Sequence, residues 1–308
     1  MGTVLCPGEL LVDFVSAENK KISEAECFYK KAGGAPANAA VAIHRFGADA
    51  IFTGCVGKDS FGNFLINTLQ KTGLSTEYIK RSNINTTLAF VSDGFEFIRG
   101  ADKKLQKDDI PDELIKKSVI IHLSSATAFL GGELEKTYNY LLTFNDKIIS
   151  FDPNYRPALF PEVSEFIEKS KEFIRHSHIV KASEKEAKLI SGKTSLDEAI
   201  NYLLGLGAEN VFITRGEKGT VYANKNRCER IPSIKVECVD STGAGDAFIG
   251  TLLAQLSDYT RKELNFELIK KYVYVSNVAA ALTVTKKGAI DAIPDKQTTL
   301  NHISQLQL

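Results

Sequence analysis

Val236-Glu237-Cys238-Val239-Asp240-Ser241-Thr242-Gly243-Ala244-Gly245-Asp246, running on into Ala247 to Leu256, is the stretch on which the reading of this chain turns. Its first four residues have the look of a strand, and the apolar spacing from Ala247 to Leu256 predicts a helix. Small residues therefore fill the entry to a helix. Backbone N–H groups at such an N-terminus lack intrahelical acceptors, and with no bulky side chains in the way they form an anion hole that the helix dipole strengthens. A phosphate there would repel Asp246 unless the carboxylate had a proton to accept, which suggests a general base beside a transferring phosphoryl group. A glycine-rich turn with Asp as a favourable first-turn residue accounts for the same letters, and the physics alone leaves the two readings open.

Outward from this stretch, β-branched runs at Ile51 to Val56, Val119 to Leu123, Ile148 to Phe151, Ile179 to Val180 and Val211 to Thr214 predict strands. Helical patterns at Phe61 to Thr72, Glu133 to Thr143 and Leu196 to Leu206 fall between them. Such alternation predicts an α/β fold with a mainly parallel sheet covered by helices on both faces, whose ligands bind beyond the carboxyl ends of the strands. Leu10 to Tyr29 and Thr86 to Arg99 break the alternation, and the second carries an Asp93-Gly94 turn between two strand-like runs. Both are expected to form a small antiparallel sheet, a lid at about residues 10–30 and 86–102, on a single domain spanning 1–308.

With 308 residues, 44% of them hydrophobic, the chain can bury a large core, and 38 basic residues balance 38 acidic ones. No net field recruits nucleic acid or an anionic membrane, so neither is expected as a partner. The five cysteines, Cys6, Cys27, Cys55, Cys228 and Cys238, are odd in number and scattered, and the N-terminus lacks the pattern of a secretory signal. A reduced cytoplasmic protein is the expectation. His176 and His178 read as a solvated pair rather than metal ligands. Ser191-Gly192-Lys193-Thr194 ends like a Walker A loop, but position 187 is Ala inside a helical stretch, so this is a helix C-cap.

Gly33-Gly34-Ala35-Pro36-Ala37-Asn38-Ala39-Ala40 and the stretch Asp240 to Gly250 resemble, in order and spacing, the two signatures of the ribokinase-like (PfkB-type) carbohydrate kinase family. The likeness extends over essentially the whole chain. It implies a three-layer α/β/α fold with a β lid, transfer of the ATP γ-phosphate to a sugar hydroxyl, Asp246 as base, and Gly243, Ala244 and Gly245 as the anion hole. Asp13, Gly33, Gly34 and Asn38 would bind the sugar; glycine allows the backbone a close approach. On its own, Asp13 would be read as a solvent-facing strand residue.

Phe151-Asp152-Pro153-Asn154-Tyr155-Arg156 resembles the Asp-x-Asn-x-Arg segment of fructokinase-like and ketodeoxygluconate-kinase-like members. Arg156 is thereby a catalytic and substrate-binding candidate, and its guanidinium suits hydroxyl or carboxylate oxygens. Arg99, at the end of the lid hairpin, is a second candidate. Phe97 shares a face with Phe95, where the rings would cover the sugar or pack against another subunit.

On the nucleotide side the resemblance carries over Lys181, Glu186, Thr214, Gly216, Gly219, Gly243, Gly245, Asn277, Ala280 and Ala281, with Glu186 bearing on Mg²⁺ through water. Ser183 stands where ribokinase has Asn, which leaves its role open. A K⁺ site is implied at Asp240, Thr242, Thr283, Lys286, Gly288 and Ala292. Relatives pair through their lids, which implies a homodimer. Fructose is the favoured acceptor, yielding fructose 6-phosphate; ketodeoxygluconate, ribose and nucleosides are alternatives, as is a non-catalytic sugar- or nucleotide-binding regulator.

Overall fold

The structure is a computed structural model that describes residues 2–18, 20–124 and 127–306. A nine-stranded sheet is built from β1 (Thr3–Pro7), β4 (Asp49–Gly57), β5 (Ile79–Ser82), β8 (Ser118–Ser124), β9 (Ile148–Asp152), β10 (Ile179–Ser183), β11 (Asn210–Thr214), β12 (Thr220–Asn224) and β13 (Cys228–Ile231). A separate four-stranded sheet holds β2 (Leu11–Ser16), β3 (Phe28–Gly33), β6 (Leu88–Ser92) and β7 (Gly94–Ile98). The large sheet runs β13-β12-β11-β10-β9-β8-β1-β4-β5, parallel from β11 through to β5 and antiparallel only at β12 and β13.

Its central strands are apolar on both faces, so each residue step switches core. Val4 and Cys6 of β1 enter one buried cluster while Leu5 enters the other; Phe212 of β11 is separated in the same way from Val211 and Ile213. One cluster is covered by α1 (Ala35–Arg45), α2 (Ser60–Lys71), α8 (Ala244–Leu256), α9 (Phe266–Thr283) and, at its rim, α10 (Lys296–Leu306). The other is covered by α3 (Asp112–Lys117), α4 (Glu133–Leu141), α5 (Val163–Arg175), α6 (Glu184–Ser191) and α7 (Leu196–Leu206). This is the expected three-layer α/β/α arrangement. Gly192 closes α6 at φ 68°, the left-handed C-cap read from the sequence.

Two expectations need correction. Val236 to Val239 is not a strand: among the described residues its backbone ties are the N–H groups of Val239 and Asp240, both donating to Val284 O, and Val239 is exposed. β13 already ends the sheet, so alternating β-branched residues beyond it find no ladder. The small sheet is mixed rather than antiparallel: its order is β3-β2-β6-β7, and β2 pairs parallel with β6. Two hairpins, each a separate excursion from the body, are thus joined side by side.

The lid face opposite Phe95 and Phe97 is covered within the chain. Phe90 stacks on Phe14 with centroids 5.1 Å apart and meets Phe28 edge-on, and Phe14 meets Phe61 of α2. Among the described residues, no helix is long and apolar enough to cross a membrane.

Candidate active site

The carboxyl ends of β1, β9, β10 and β11 deliver the chain to one edge of the sheet, and the start of α8 faces them. Gly243 opens α8 at φ 79°, and no side chain caps the helix. A β-carbon on Gly243 would lie 2.7 Å from the Ala289 β-carbon, so both the backbone angle and the space demand glycine. The N–H groups of Gly245 and Asp246 find no acceptor among the described residues, as the anion-hole reading requires.

Asp246, 9% exposed, stands in the first turn of α8. Asn38 Nδ2 donates to its Oδ2 at 2.8 Å. That meeting depends on Gly250, one turn on, whose added β-carbon would lie 2.5 Å from Ala42 Cβ and 2.6 Å from Ala39 O. Glycine there lets α8 lie directly on α1, which brings Asn38 to Asp246. Burial pushes the Asp246 carboxyl up to about 6, while the Asn38 bond and the charges of Lys181 and Arg156 pull it back. A base of that strength is ionised at neutral pH yet close enough to it to accept a proton. Asn38 Oδ1 is buried with no partner among the described residues, an acceptor awaiting a donor such as a hydroxyl.

The lid brings Asp13. Its strand β2 pairs with β3 in a register that leaves Gly33 diagonal to it, and a β-carbon on Gly33 would lie 2.0 Å from Asp13 Oδ2. Glycine makes room for the carboxylate. Burial pushes Asp13 up to about 7, Arg156 lowers it, and Asp246 raises it. Asp13, Arg156 and Asp246 are therefore within electrostatic reach of one another. Register sets Asp13 beside Ala89 and Ala89 beside Phe97, so Phe97 occupies the same lid face as Asp13, with Phe95 stacked on it.

Arg156 itself is exposed and rides on a tightly held turn. Asn154 sits at φ 45°, a conformation that Asn tolerates better than most residues; its N–H donates to Asp152 Oδ1 at 3.1 Å and its Nδ2 to Ser124 Oγ at 3.1 Å. Glu186 Oε1 accepts from Tyr155 N–H at 2.7 Å, and its Oε2 accepts from Ser183 N–H at 2.7 Å. Ser183 Oγ accepts in return from Glu186 N–H, so the residue left without a role in the sequence is the cap of α6. Lys181 Nζ is bound to Asp152 Oδ2 at 2.9 Å, and a β-carbon on Gly245 would lie 2.6 Å from that ammonium. Burial lowers the Lys181 pKa but the carboxylates of Asp152 and Glu186 outweigh it, leaving the ammonium charged beside the anion hole. The sequence singled out Arg156 in this segment but not Asp152 or Asn154; Asp-Pro-Asn as turn-forming residues was the available signal.

Thr214, Gly216 and Gly219 form the hairpin between β11 and β12, with Arg215 N–H donating to Gly219 O at 2.8 Å. A β-carbon on Gly219 would lie 2.1 Å from Ile231 O, so this turn packs against residues 231–233. Asn277 is already engaged: its Oδ1 accepts from Thr220 Oγ1 at 2.6 Å, and its Nδ2 donates to the carbonyls of Ile231 and Pro232. It fastens α9 to the β12–β13 edge, leaving Ala280 and Ala281 as the small-residue surface.

Of the residues expected to hold a monovalent cation, Asp240, Thr242 and Gly288 are tied together. Asp240 Oδ1 accepts from Thr242 N–H and Oγ1, and its Oδ2 accepts from Gly288 N–H at 2.8 Å. Thr283 is buried with its hydroxyl on Ala279 O, Lys286 is exposed and Ala292 is buried.

Arg99 is placed differently from the expectation. Its guanidinium donates to Asp102 Oδ2 at 3.2 Å and to the carbonyls of Leu130, Thr127 and Gly131 at 2.7, 3.0 and 3.2 Å. With these partners it anchors the base of the lid rather than reaching into the site.

Residues 1–296 match the model of the pfkB family of carbohydrate kinases. Fructokinase-1 of Zea mays is 34% identical over 318 residues, covering 97% of this chain and 96% of the relative. Among solved structures, a Xylella fastidiosa fructokinase with bound ATP superposes with a TM-score of 0.89 at 27% identity, covering 99% of both chains. A Vibrio cholerae O395 fructokinase with fructose, ADP and calcium bound superposes at 0.87 with 29% identity, covering 98% of both. With its sheet order, its mixed lid and an Asp at the mouth of a glycine-lined helix N-terminus, the chain belongs to the pfkB family of carbohydrate kinases.

Proposed function

We propose that this protein is an ATP-dependent fructokinase that makes fructose 6-phosphate, with Asp246 as the general base. The observation that carries the reading is the buried Asp246, held by Asn38 at the entrance of α8 between unpaired backbone N–H groups and the lid residue Asp13. Asp246 accepts the proton of the sugar hydroxyl as its oxygen bonds to the γ-phosphorus, the bond from that phosphorus to the bridging oxygen breaks, and ADP leaves. The N–H groups of Gly245 and Asp246 and the Lys181 ammonium offset the negative charge on the transferring group. Asp13, Asn38 and Arg156 hold the sugar hydroxyls, and Phe97 covers its apolar side from the lid.

Mg²⁺ would neutralise the phosphates, and Glu186 is the residue that would bear on it through water. A K⁺ ion between residues 240–242 and 283–292 would steady the anion hole from behind. Exposed Tyr29 and Ile98 on the edge strands of the lid support pairing of two lids in a homodimer, and a cytoplasmic location fits five free cysteines. Coupled ADP-release measurements on a panel of fructose, ketodeoxygluconate, ribose and a nucleoside test the substrate assignment. Fructose should give the highest kcat/KM, and a greater value with any other acceptor would overturn it.

A further inference from the structure

Glu9 and Asp102 are carboxylic acids 1% and 0% exposed, and neither has a part in the phosphoryl transfer described above. Burying such groups is costly unless every oxygen is engaged, so what engages them shows what they hold. Glu9 lies just before β2, where the chain leaves the body for the first lid excursion, and its Oε1 accepts from the N–H of Ala35, where that excursion returns. Thr87 lies just before β6, at the start of the second excursion. Its hydroxyl donates to Asp102 Oδ1 and accepts from Gly100 N–H at 2.9 Å, where that excursion ends. Each acid thus belongs to a clasp joining the outgoing and returning chain of one lid hairpin.

The two clasps are also tied together. Thr127 Oγ1 donates to Glu9 Oε2 at 3.3 Å, while Thr127 O accepts from Arg99, whose Nε donates to Asp102. Val12 N–H donates to Thr87 O at 3.1 Å, bridging the excursions directly. Glu9, Ala35, Thr127, Arg99, Asp102 and Thr87 form one chain of hydrogen bonds, part-buried only at Arg99, across all four points where the lid joins the body. Burial pushes Glu9 up to about 8, while the N–H groups of Glu9 and Ala35 pull it back and the charges of Asp102 and Asp246 raise it.

We propose that Glu9 and Asp102, bridged by Thr127 and Arg99, are positioning residues that latch both lid hairpins over the sugar cleft. They act through Asp13 and the Gly33–Gly34 turn, which the first hairpin carries, and touch neither sugar nor nucleotide. The inference rests on the sugar kinase reading above.

Glu9→Gln, Glu9→Ala and Thr127→Val test it. Gln keeps the clasp, its Oε1 accepting from Ala35 and its Nε2 donating to a Thr127 hydroxyl turned to accept, so sugar and ATP KM should stay within about twofold of wild type. Glu9→Ala removes both bonds and should raise the sugar KM by about tenfold or more while the ATP KM moves less than about twofold. More ATP should be hydrolysed per sugar phosphorylated, as water reaches an ill-covered site. Thr127→Val removes only the bridge, keeps the side-chain shape, and should raise the sugar KM by about three- to tenfold, the effect of one ordinary hydrogen bond. It serves if Glu9→Ala does not fold. Equal changes in both KM values, or a lowered melting temperature with unchanged kinetics, would show a merely structural network and overturn the latch. If no sugar is phosphorylated, hydrogen exchange still decides: the Val12 amide should exchange faster in Thr127→Val than in wild type, while β8 and β10 amides keep their protection. An unchanged Val12 amide would overturn the latch independently of the reaction.

Discussion

Replacing Asp246 by Asn should abolish turnover and stabilise the protein at the same time. Asn keeps the shape, and its Oδ1 can still accept from Asn38 Nδ2 at the position where Asp246 Oδ2 now does so at 2.8 Å. What disappears is the acceptor for the hydroxyl proton, a loss on the order of 10²- to 10⁴-fold in kcat for a general base. The stability change follows from burial. The carboxyl is raised from its ordinary 3.8 to about 6, so the folded state binds its proton more tightly than the unfolded chain does. Below pH 3.8 both states are protonated and nothing is lost; as the pH rises through 6 the ionised carboxylate becomes a full destabilising contribution. The gap amounts to about 3 kcal/mol at neutral pH, an upper bound on what Asn relieves. Kinetics at saturating ATP and fructose, paired with thermal melts at pH 7.5 and 4, form the assay. The variant should melt a few degrees higher at the upper pH and by much less at the lower one. A variant that kept most of its kcat, or one less stable than wild type at neutral pH, would refute the reasoning.

The pH profiles should separate the two site carboxylates. Asp246 near 6 and Asp13 near 7 must both be ionised, so kcat/KM for sugar should fall with a steeper acid limb than kcat, each lost as pH falls through those values; matching limbs would remove Asp13 from sugar binding. Gly250→Ala places a methyl 2.5 Å from Ala42 Cβ, forcing α8 off α1; overpacking should cost about 1–3 kcal/mol in denaturant melts, and kcat should fall as Asn38 parts from Asp246, whereas a silent variant would contradict the packing account. Rates measured in K⁺ and Na⁺ at matched ionic strength should favour K⁺, and equal rates would remove the cation from the account.

Much of this was legible because it is local. Alternating strand and helix periods gave the three layers, and small residues before Asp246 marked the open entry to α8. What escaped depends on neighbours distant in the chain. Val236 to Val239 has a strand's composition, but only the finished sheet reveals that β13 leaves it no partner. The parallel pairing of β2 with β6 joins hairpins separated by α1 and α2, beyond any local pattern. Arg99 at the foot of a hairpin looked free to reach a ligand, yet its acceptors lie at 127, 130 and 131. Asn277 stood among the nucleotide-side residues, while its partners Thr220, Ile231 and Pro232 become neighbours only once α9 has packed. Glu9 is a single letter whose partners stand at 35 and 127.

The central claim, that this site moves a phosphoryl group from ATP to fructose with Asp246 taking the proton, is tested most directly by phosphorus NMR of the products. Wild-type protein with Mg·ATP and fructose should give ADP and fructose 6-phosphate in equal amounts, with neither accumulating for Asp246→Asn over the same interval. ADP and inorganic phosphate without a sugar phosphate, or fructose 6-phosphate formed at comparable rates by Asp246→Asn, would contradict it.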